Sequence, residues 1–321
     1  MSTTAFQLRS RIRALIDHTV TVLAVLATIL VIVPLAVIFA ELVIKGANSL
    51  NMNFFLKIPA PEGETGGGMA NAIIGSGVLL GLASLIGIPI GIGSGVYLAE
   101  FGRGTKLANA VRFTADVLNG VPSIVMGITA YALIVAPQPH LPAITIPHNV
   151  FGLLLVRPLA WLLNNFLGLF GHFSAFSGGI ALGIMMIPTV CRSTEEMLLM
   201  VPHAVREAAL GLGVPNWRST LSITVKTASP GIITGCMLAF ARIAGETAPL
   251  LFTALGNQFW STSLNEPIAA LPLQIFIYAN SPYEDQQRMA WAGALVLIVL
   301  IVLAVSLVRY VTSRGVLKGN S

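Results

Sequence analysis

The stretch CMLAFARIAGETAPLLFTAL, residues 236–255, is apolar enough to lie in lipid, yet it carries Arg242 and Glu246 in its middle. A charge at the centre of a membrane helix costs about 2.5–3.5 kcal/mol on insertion scales. Four residues apart on a helix, the two would share one face and offset each other. One reading is a self-neutralising pair that staples helices together. The other starts from where ionisable groups inside spans usually point, toward a bundle interior or an aqueous path. There a guanidinium presents two parallel donors to an oxyanion, and a carboxylate can accept from a substrate that still carries a proton. Pro249 cannot donate to the Gly245 carbonyl, which leaves an acceptor beside Glu246. Arg192, just after Pro188, interrupts another apolar run and is expected on the same path.

Such residues need a membrane framework, and the composition supplies one. Of 321 residues, 55% are hydrophobic and 10% charged, against roughly 25% charged in a soluble domain. Uncharged or nearly uncharged stretches long enough to cross a bilayer, which takes about 20 helical residues, fall at 19–43, 70–99, 117–137, 177–200, 230–254 and 289–310. The first is too long for the apolar part of a signal peptide, about 7–15 residues, and reads as an anchor that stays. The expectation is an all-α polytopic membrane protein with six transmembrane helices.

Lys and Arg set its orientation. With the N-terminus in the cytoplasm, that side holds Arg9, Arg11, Arg13, Arg103, Lys106, Arg112, Arg206, Arg218, Lys226, Arg309, Arg314 and Lys318. The outer side holds Lys45, Lys57, Arg157 and Arg288. Twelve against four places both termini in the cytoplasm. The stretch 149–170 contains Arg157, Pro158, Asn164 and Asn165, and a crossing there would invert the later loops. It is expected to lie along the outer interface.

In the second span Gly77 and Gly81, then Gly87, Gly91 and Gly95, recur every four residues, a pattern that lets helix backbones approach closely. Cys191 and Cys236 lack metal or redox spacing and read as small apolar residues. The net charge of +5 is dispersed between apolar runs, which gives no sign of nucleic-acid binding. No Gly-Lys dipeptide occurs, hence no Walker A loop. There is no HExxH, and the five histidines have no ligand spacing. A membrane-embedded enzyme is the least favoured class.

The longest cytoplasmic connection, VPHAVREAALGLGVPNWRSTLSITVK (201–226), reads as two short helices around a turn at Gly211 and Gly213, the second starting near Pro215. Alone it could be an amphipathic surface pair. Its Glu207-Ala208-Ala209, with Gly213 six residues and Ile223 sixteen residues after the glutamate, resembles the EAA loop of bacterial ABC-type import permeases. The usual Leu-Pro ending stands here as Val225 and Lys226. Together with VPSIVMG, CRSTEEM, REAALGLG and ARIAGETAPLLFTALGNQFW, it resembles the permease subunits of high-affinity phosphate importers, from about Met69 to Arg309 apart from an insert near 138–176.

That resemblance implies a MetI-like permease fold: residues 1–68 as anchor helix and first outer loop, 69–312 as permease core, 313–321 as cytoplasmic tail. It implies Glu207, Ala208, Ala209 and Gly213 as the coupling loop that docks on an ATPase, and Arg192, Arg242 and Glu246 as residues of the transport path. It implies a non-catalytic chain in the bacterial inner membrane that binds no cofactor, with ATP and Mg used by its partners. Those partners would be a homologous second permease, two copies of a cytoplasmic ATPase, an extracytoplasmic phosphate-binding protein and the surrounding lipid. A permease for another oxyanion (sulfate, phosphonate, molybdate) is the nearest alternative. An ion-driven secondary transporter would need no docking loop.

Overall fold

The computed structural model describes residues 3–64, 66–136, 171–261 and 263–318. The proposed interfacial segment at 149–170 lies outside them. Helices α1 (Thr3–Ser49), α2 (Met52–Leu56) and α3 (Ala70–Val96) come first, and α3 ends in a π turn at Tyr97–Phe101. After them come α4 (Lys106–Gly120) and α5 (Ser123–Ala130), the latter with a π turn at Tyr131–Val135. The remainder is α6 (Ala175–Leu199), α7 (His203–Gly211), α8 (Asn216–Ser219), α9 (Val225–Ala244), α10 (Ala248–Thr253), α11 (Leu271–Ala279) and α12 (Glu284–Lys318). The architecture is all-α; the described residues hold only an isolated bridge between Leu255 and Ile268.

Among the described residues, five helical runs are long and apolar enough to span a membrane: Leu15–Ser49, Ala70–Phe101, Ala175–Leu199, Asn216–Ala244 and Glu284–Thr312. The sixth expected span is a broken one. Its two pieces, Lys106–Gly120 and Ser123–Val135, meet at 109°. Pro122 lacks the amide that would continue the helix, and it drives the preceding residue out of the helical region. Val121 is accordingly extended, at φ −71° and ψ 132°. The expected span at 117–137 therefore begins near the end of one helix and turns a corner into the next.

The centre of the bundle is α6, the most enclosed of the long helices. Ser174 starts it, its Oγ accepting from the Ser177 amide at 3.1 Å. Leu182, Met186 and Val190 of α6 pack with Leu79 and Ala83 of α3 and with Cys236, Ala239 and Ile243 of α9 in one buried cluster. Three of the five glycines in the expected row make this possible. A Cβ on Gly87, Gly91 or Gly95 would come within 2.8, 2.6 and 2.6 Å of Met186, Val190 and Thr194. Gly77 and Gly81 instead face open space. At about 100° per residue, the ten residues from Gly77 to Gly87 carry the row about 80° round the helix, away from α6. Both cysteines are free and buried, as their spacing led us to expect.

Candidate functional site

The polar chemistry of the bundle lies on the seam between α4 and α6. Arg112, Asp116 and Asn119 occupy one face of α4, at intervals of four and three. Glu195, Arg192 and Thr189 do the same on α6, at intervals of three. The helices run antiparallel here, so rising numbers on α4 meet falling numbers on α6. Arg112 Nε donates to Glu195 Oε1 at 2.6 Å. Arg192 forms a two-pronged pair with Asp116, Nε to Oδ1 and Nη2 to Oδ2, both at 2.7 Å. Thr189 Oγ1 donates to Asn119 Oδ1 at 3.0 Å. A strut joins the first two rungs, Arg192 Nη1 donating to Glu195 Oε2 at 2.9 Å.

Burial explains why the ladder carries two arginines. Glu195 is buried, and a buried carboxylate is tolerated only when opposite charge and hydrogen bonds replace its water. Arg112 and Arg192 each satisfy one of its oxygens. Arg112 also donates from Nη2 to the Leu98 carbonyl in the π turn after α3, at 3.0 Å.

Arg242 stands at the end of this ladder. Its Nη1 lies 3.4 Å from Thr189 Oγ1 and 3.5 Å from Asn119 Oδ1, the long limit of a hydrogen bond. The residue is exposed and makes no ion pair among the described residues. Its fork is largely free to take another acceptor.

The expected pairing of Arg242 with Glu246 on one helix face does not occur. Helix α9 stops at Ala244, and Gly245 is its C-cap at φ −98° and ψ 0°. Glu246 follows in the break before α10, half-buried, its amide bonded to the Ile243 carbonyl at 3.2 Å. Gly245 has the lowest helix propensity short of proline, and Pro249 sits in the first turn of α10, where prolines start helices rather than continue them. The i,i+4 rule therefore does not apply across 242–246. Glu246 has no side-chain partner among the described residues, and the carboxylates that hold an arginine here are Asp116 and Glu195, on Arg192.

The cytoplasmic loop folds as two short helices around a turn. Gly213 adopts φ +78° with nothing near where a Cβ would stand, and its amide bonds to the Leu210 carbonyl at 2.9 Å. Pro215 precedes the first residue of α8. Ala209 is buried, whereas Glu207 and Ala208 are exposed. Around them Leu210, Leu212 and Trp217 project outward, Leu212 being 84% exposed. The root of this knob is Arg206. It donates from Nε and Nη2 to Glu100 Oε1 at 3.1 and 2.7 Å, from Nη2 to the Leu198 carbonyl at 2.6 Å, and from Nη1 to the Val201 carbonyl at 2.7 Å.

The structure thus brings Arg192 and Arg242 to one seam, leaves Glu246 apart from both, and places the loop residues together at one end. Asp116, Asn119, Thr189, Glu195 and Arg206 belong to these sites although the motifs did not single them out. Among the described residues, no group of three or more His, Cys, Asp or Glu side chains could hold a metal ion.

The sequence pattern described as "Binding-protein-dependent transport system inner membrane component" matches residues 87–315, which span both the ladder and the knob. The chain belongs to this family. It is 43% identical over 272 residues to "Phosphate transport system permease protein PstA" of Yersinia pestis, covering 85% of this chain and 81% of that one. It is 42% identical over 303 residues to the protein of the same description from Xylella fastidiosa (strain 9a5c), covering 94% of each. Among solved structures, a chain of the inward-facing MetNI methionine ABC transporter matches at a TM-score of 0.49 and 17% identity, over 77% of this chain and 95% of that one. As a member of the inner membrane component family with several candidate spans, the chain is a multi-pass membrane protein.

Proposed function

We propose that this chain is the transmembrane permease subunit of an ATP-driven inorganic phosphate importer, forming half of the translocation path. The observation that carries the reading is its 42–43% identity, over most of both chains, to proteins described as phosphate transport permeases. The seam supports it. Arg242, which makes no ion pair among the described residues, stands at the end of the ladder that holds a second guanidinium, Arg192, whose present partners are carboxylates. A carboxylate held by two prongs has much the same shape and charge as two oxygens of a phosphate. In this reading the incoming anion meets Arg242 first. It then exchanges with Asp116 for the outer prongs of Arg192, while Glu195 keeps that residue in place. Glu246, without a side-chain partner among the described residues, accepts a hydrogen bond from the proton that phosphate retains near neutral pH and that sulfate lacks.

The chain itself binds no nucleotide; ATP and Mg are used by two copies of a cytoplasmic ATPase, docked on the knob through the exposed Glu207 and Ala208, with the buried Ala209 packing the knob and Gly213 making its turn. A homologous second permease completes the path, and an extracytoplasmic binding protein delivers phosphate. Both termini face the cytoplasm of a bacterium whose inner membrane holds the complex. The test is gentle purification of the tagged chain, followed by reconstitution. ATPase and second permease should co-purify, and ATP-dependent phosphate uptake should resist a large excess of sulfate. Uptake of sulfate at the rate of phosphate would assign the chain to a different oxyanion.

A further inference from the structure

An amphipathic helix pair on a membrane protein's surface needs only its apolar side to stay attached. The knob has that attachment, with Val205 packed on the core cluster and Ala209 buried, and an ion pair in addition. Arg206 and Glu100 are 12% and 10% exposed, and theirs is the one ion pair among the described residues in which both partners are so nearly enclosed. A charge taken that far from water must be fully hydrogen-bonded to be tolerated, and Arg206 is bonded through all three of its nitrogens.

The partners come from three places. Glu100 lies in the π turn that ends α3. Leu198 lies in the last turn of α6, where its carbonyl also accepts the Val201 amide at 3.2 Å, and Val201 lies just past it. Pro202, four residues after Leu198, has no amide to complete the helical bond. Arg206 itself belongs to α7. One guanidinium therefore ties the knob to the ends of the two helices that pack most closely in the bundle. The same π turn is also held by Arg112, bonded to the Leu98 carbonyl and to Glu195. Leu198 is one helical turn beyond Glu195, which carries Arg192. Rigid contacts thus run without interruption from α7 to the ladder.

We infer that Arg206 is the positioning residue that couples the docking knob to the translocation path, its clamp on Glu100 and on the end of α6 converting displacement of α7 into displacement of α3 and α6. This rests on the reading of the knob as the ATPase dock. With the clamp intact, α7 cannot shift without carrying both helix ends. Without it, the knob still presents Glu207 and its apolar residues to the ATPase, but its movement is spent within the loop.

The experiment uses the complete complex in liposomes, with phosphate uptake and ATP hydrolysis measured on the same preparation. Arg206→Gln should retain its ATPase in wild-type proportion and hydrolyse ATP within about twofold of wild type, while uptake per ATP falls about tenfold or more, within the usual range of coupling energies. Arg206→Lys keeps a charge for Glu100 but cannot hold both carbonyls as well, so it should fall between the two. Glu100→Gln removes the pair from the other side and leaves the α6 carbonyls bonded. The double variant should lose no more than the worse single one, since both break one contact. Uptake per ATP unchanged in Arg206→Gln and Glu100→Gln, losses that multiply in the double variant, or uptake and hydrolysis falling in equal proportion would each overturn the clamp. A wild-type chain that carries no ATPase would overturn the dock, and the clamp's role with it.

Discussion

Asp116 and Arg192 face each other across the α4–α6 seam with two parallel bonds of 2.7 Å, yet the side chain of Asp116 is 52% exposed. Its neighbour on the ladder, Glu195, binds the same arginine from a buried position. The two carboxylates share a cation and differ in what their loss should cost.

Asp116→Asn removes a charge that water can replace, and exposed pairs contribute about 0–1 kcal/mol. Glu195→Gln removes the buried carboxylate that Arg112 and Arg192 share and leaves two partly exposed guanidinium groups, Arg192 still held by Asp116. Losing hydrogen bonds to a charged group costs about 1.5–3 kcal/mol. Thermal unfolding in detergent should show Asp116→Asn close to wild type and Glu195→Gln clearly lower. Equal melting temperatures would show that burial does not distinguish the two partners.

The glycines of α3 offer a second contrast on a single helix. Gly91→Ala places a Cβ against Val190, which must move or push α6 away, a strain of about 1–3 kcal/mol. Gly81→Ala meets open space in a helical segment, where alanine is better than glycine by about 0.5–1 kcal/mol. Unfolding of the purified chain should drop for the first and hold or rise for the second.

Much of this organisation is legible in the residues, and the failures have physical causes. Apolar runs located the spans, because a bilayer demands about 20 such residues whatever the fold. The fourfold spacing of Gly87, Gly91 and Gly95 located a helix contact, and Glu207 through Gly213 located the knob. The ladder was missed because the apolar run begins at 117 and leaves Arg112 and Asp116 among loop residues. Their spacing with Asn119, four and then three, was the available signal. Pro122 marked a break, but composition stays apolar across it, so hydropathy reads one span where the backbone turns by 109°. The Arg242–Glu246 pairing fails for the converse reason: the helical period does not extend across Gly245, where the helix ends. Arg206 opens the REAALGLG string, but its clamp has no sequence signal, since its partners are a residue 106 positions away and two main-chain carbonyls.

At Gly213 the cost of a side chain lies in the backbone alone, since φ is +78° and no atom is near. L-residues lose about 1–2 kcal/mol there, and asparagine less than most. Gly213→Asn should transport close to wild type. Gly213→Val should distort the turn between α7 and α8 and lower uptake several-fold with the chain still inserted. Both are read as phosphate uptake alongside the amount of ATPase that co-purifies. Normal values for both quantities in Gly213→Val would remove the knob from the coupling mechanism.

The charges that opened the problem are separable because they do not touch. Arg242 is exposed and weakly bonded, so Arg242→Gln should leave the complex assembled and its melting temperature within the small range of surface substitutions, about 0.5 kcal/mol. Uptake should nevertheless vanish, because a neutral amide cannot offset phosphate charge in a desolvated path. Arg242→Lys keeps the charge without the two-pronged geometry, and partial uptake is expected. Glu246→Gln leaves Arg242 undisturbed, since the two form no pair, and retains an oxygen that can accept from a protonated phosphate. What it loses is repulsion of an anion with no proton to give. In vesicles reconstituted with the matched binding protein for each anion, Glu246→Gln should admit more sulfate than wild type while phosphate uptake falls. Unchanged sulfate rejection would deprive Glu246 of its selective role, and full phosphate uptake by Arg242→Gln would return the exposed guanidinium to a structural one.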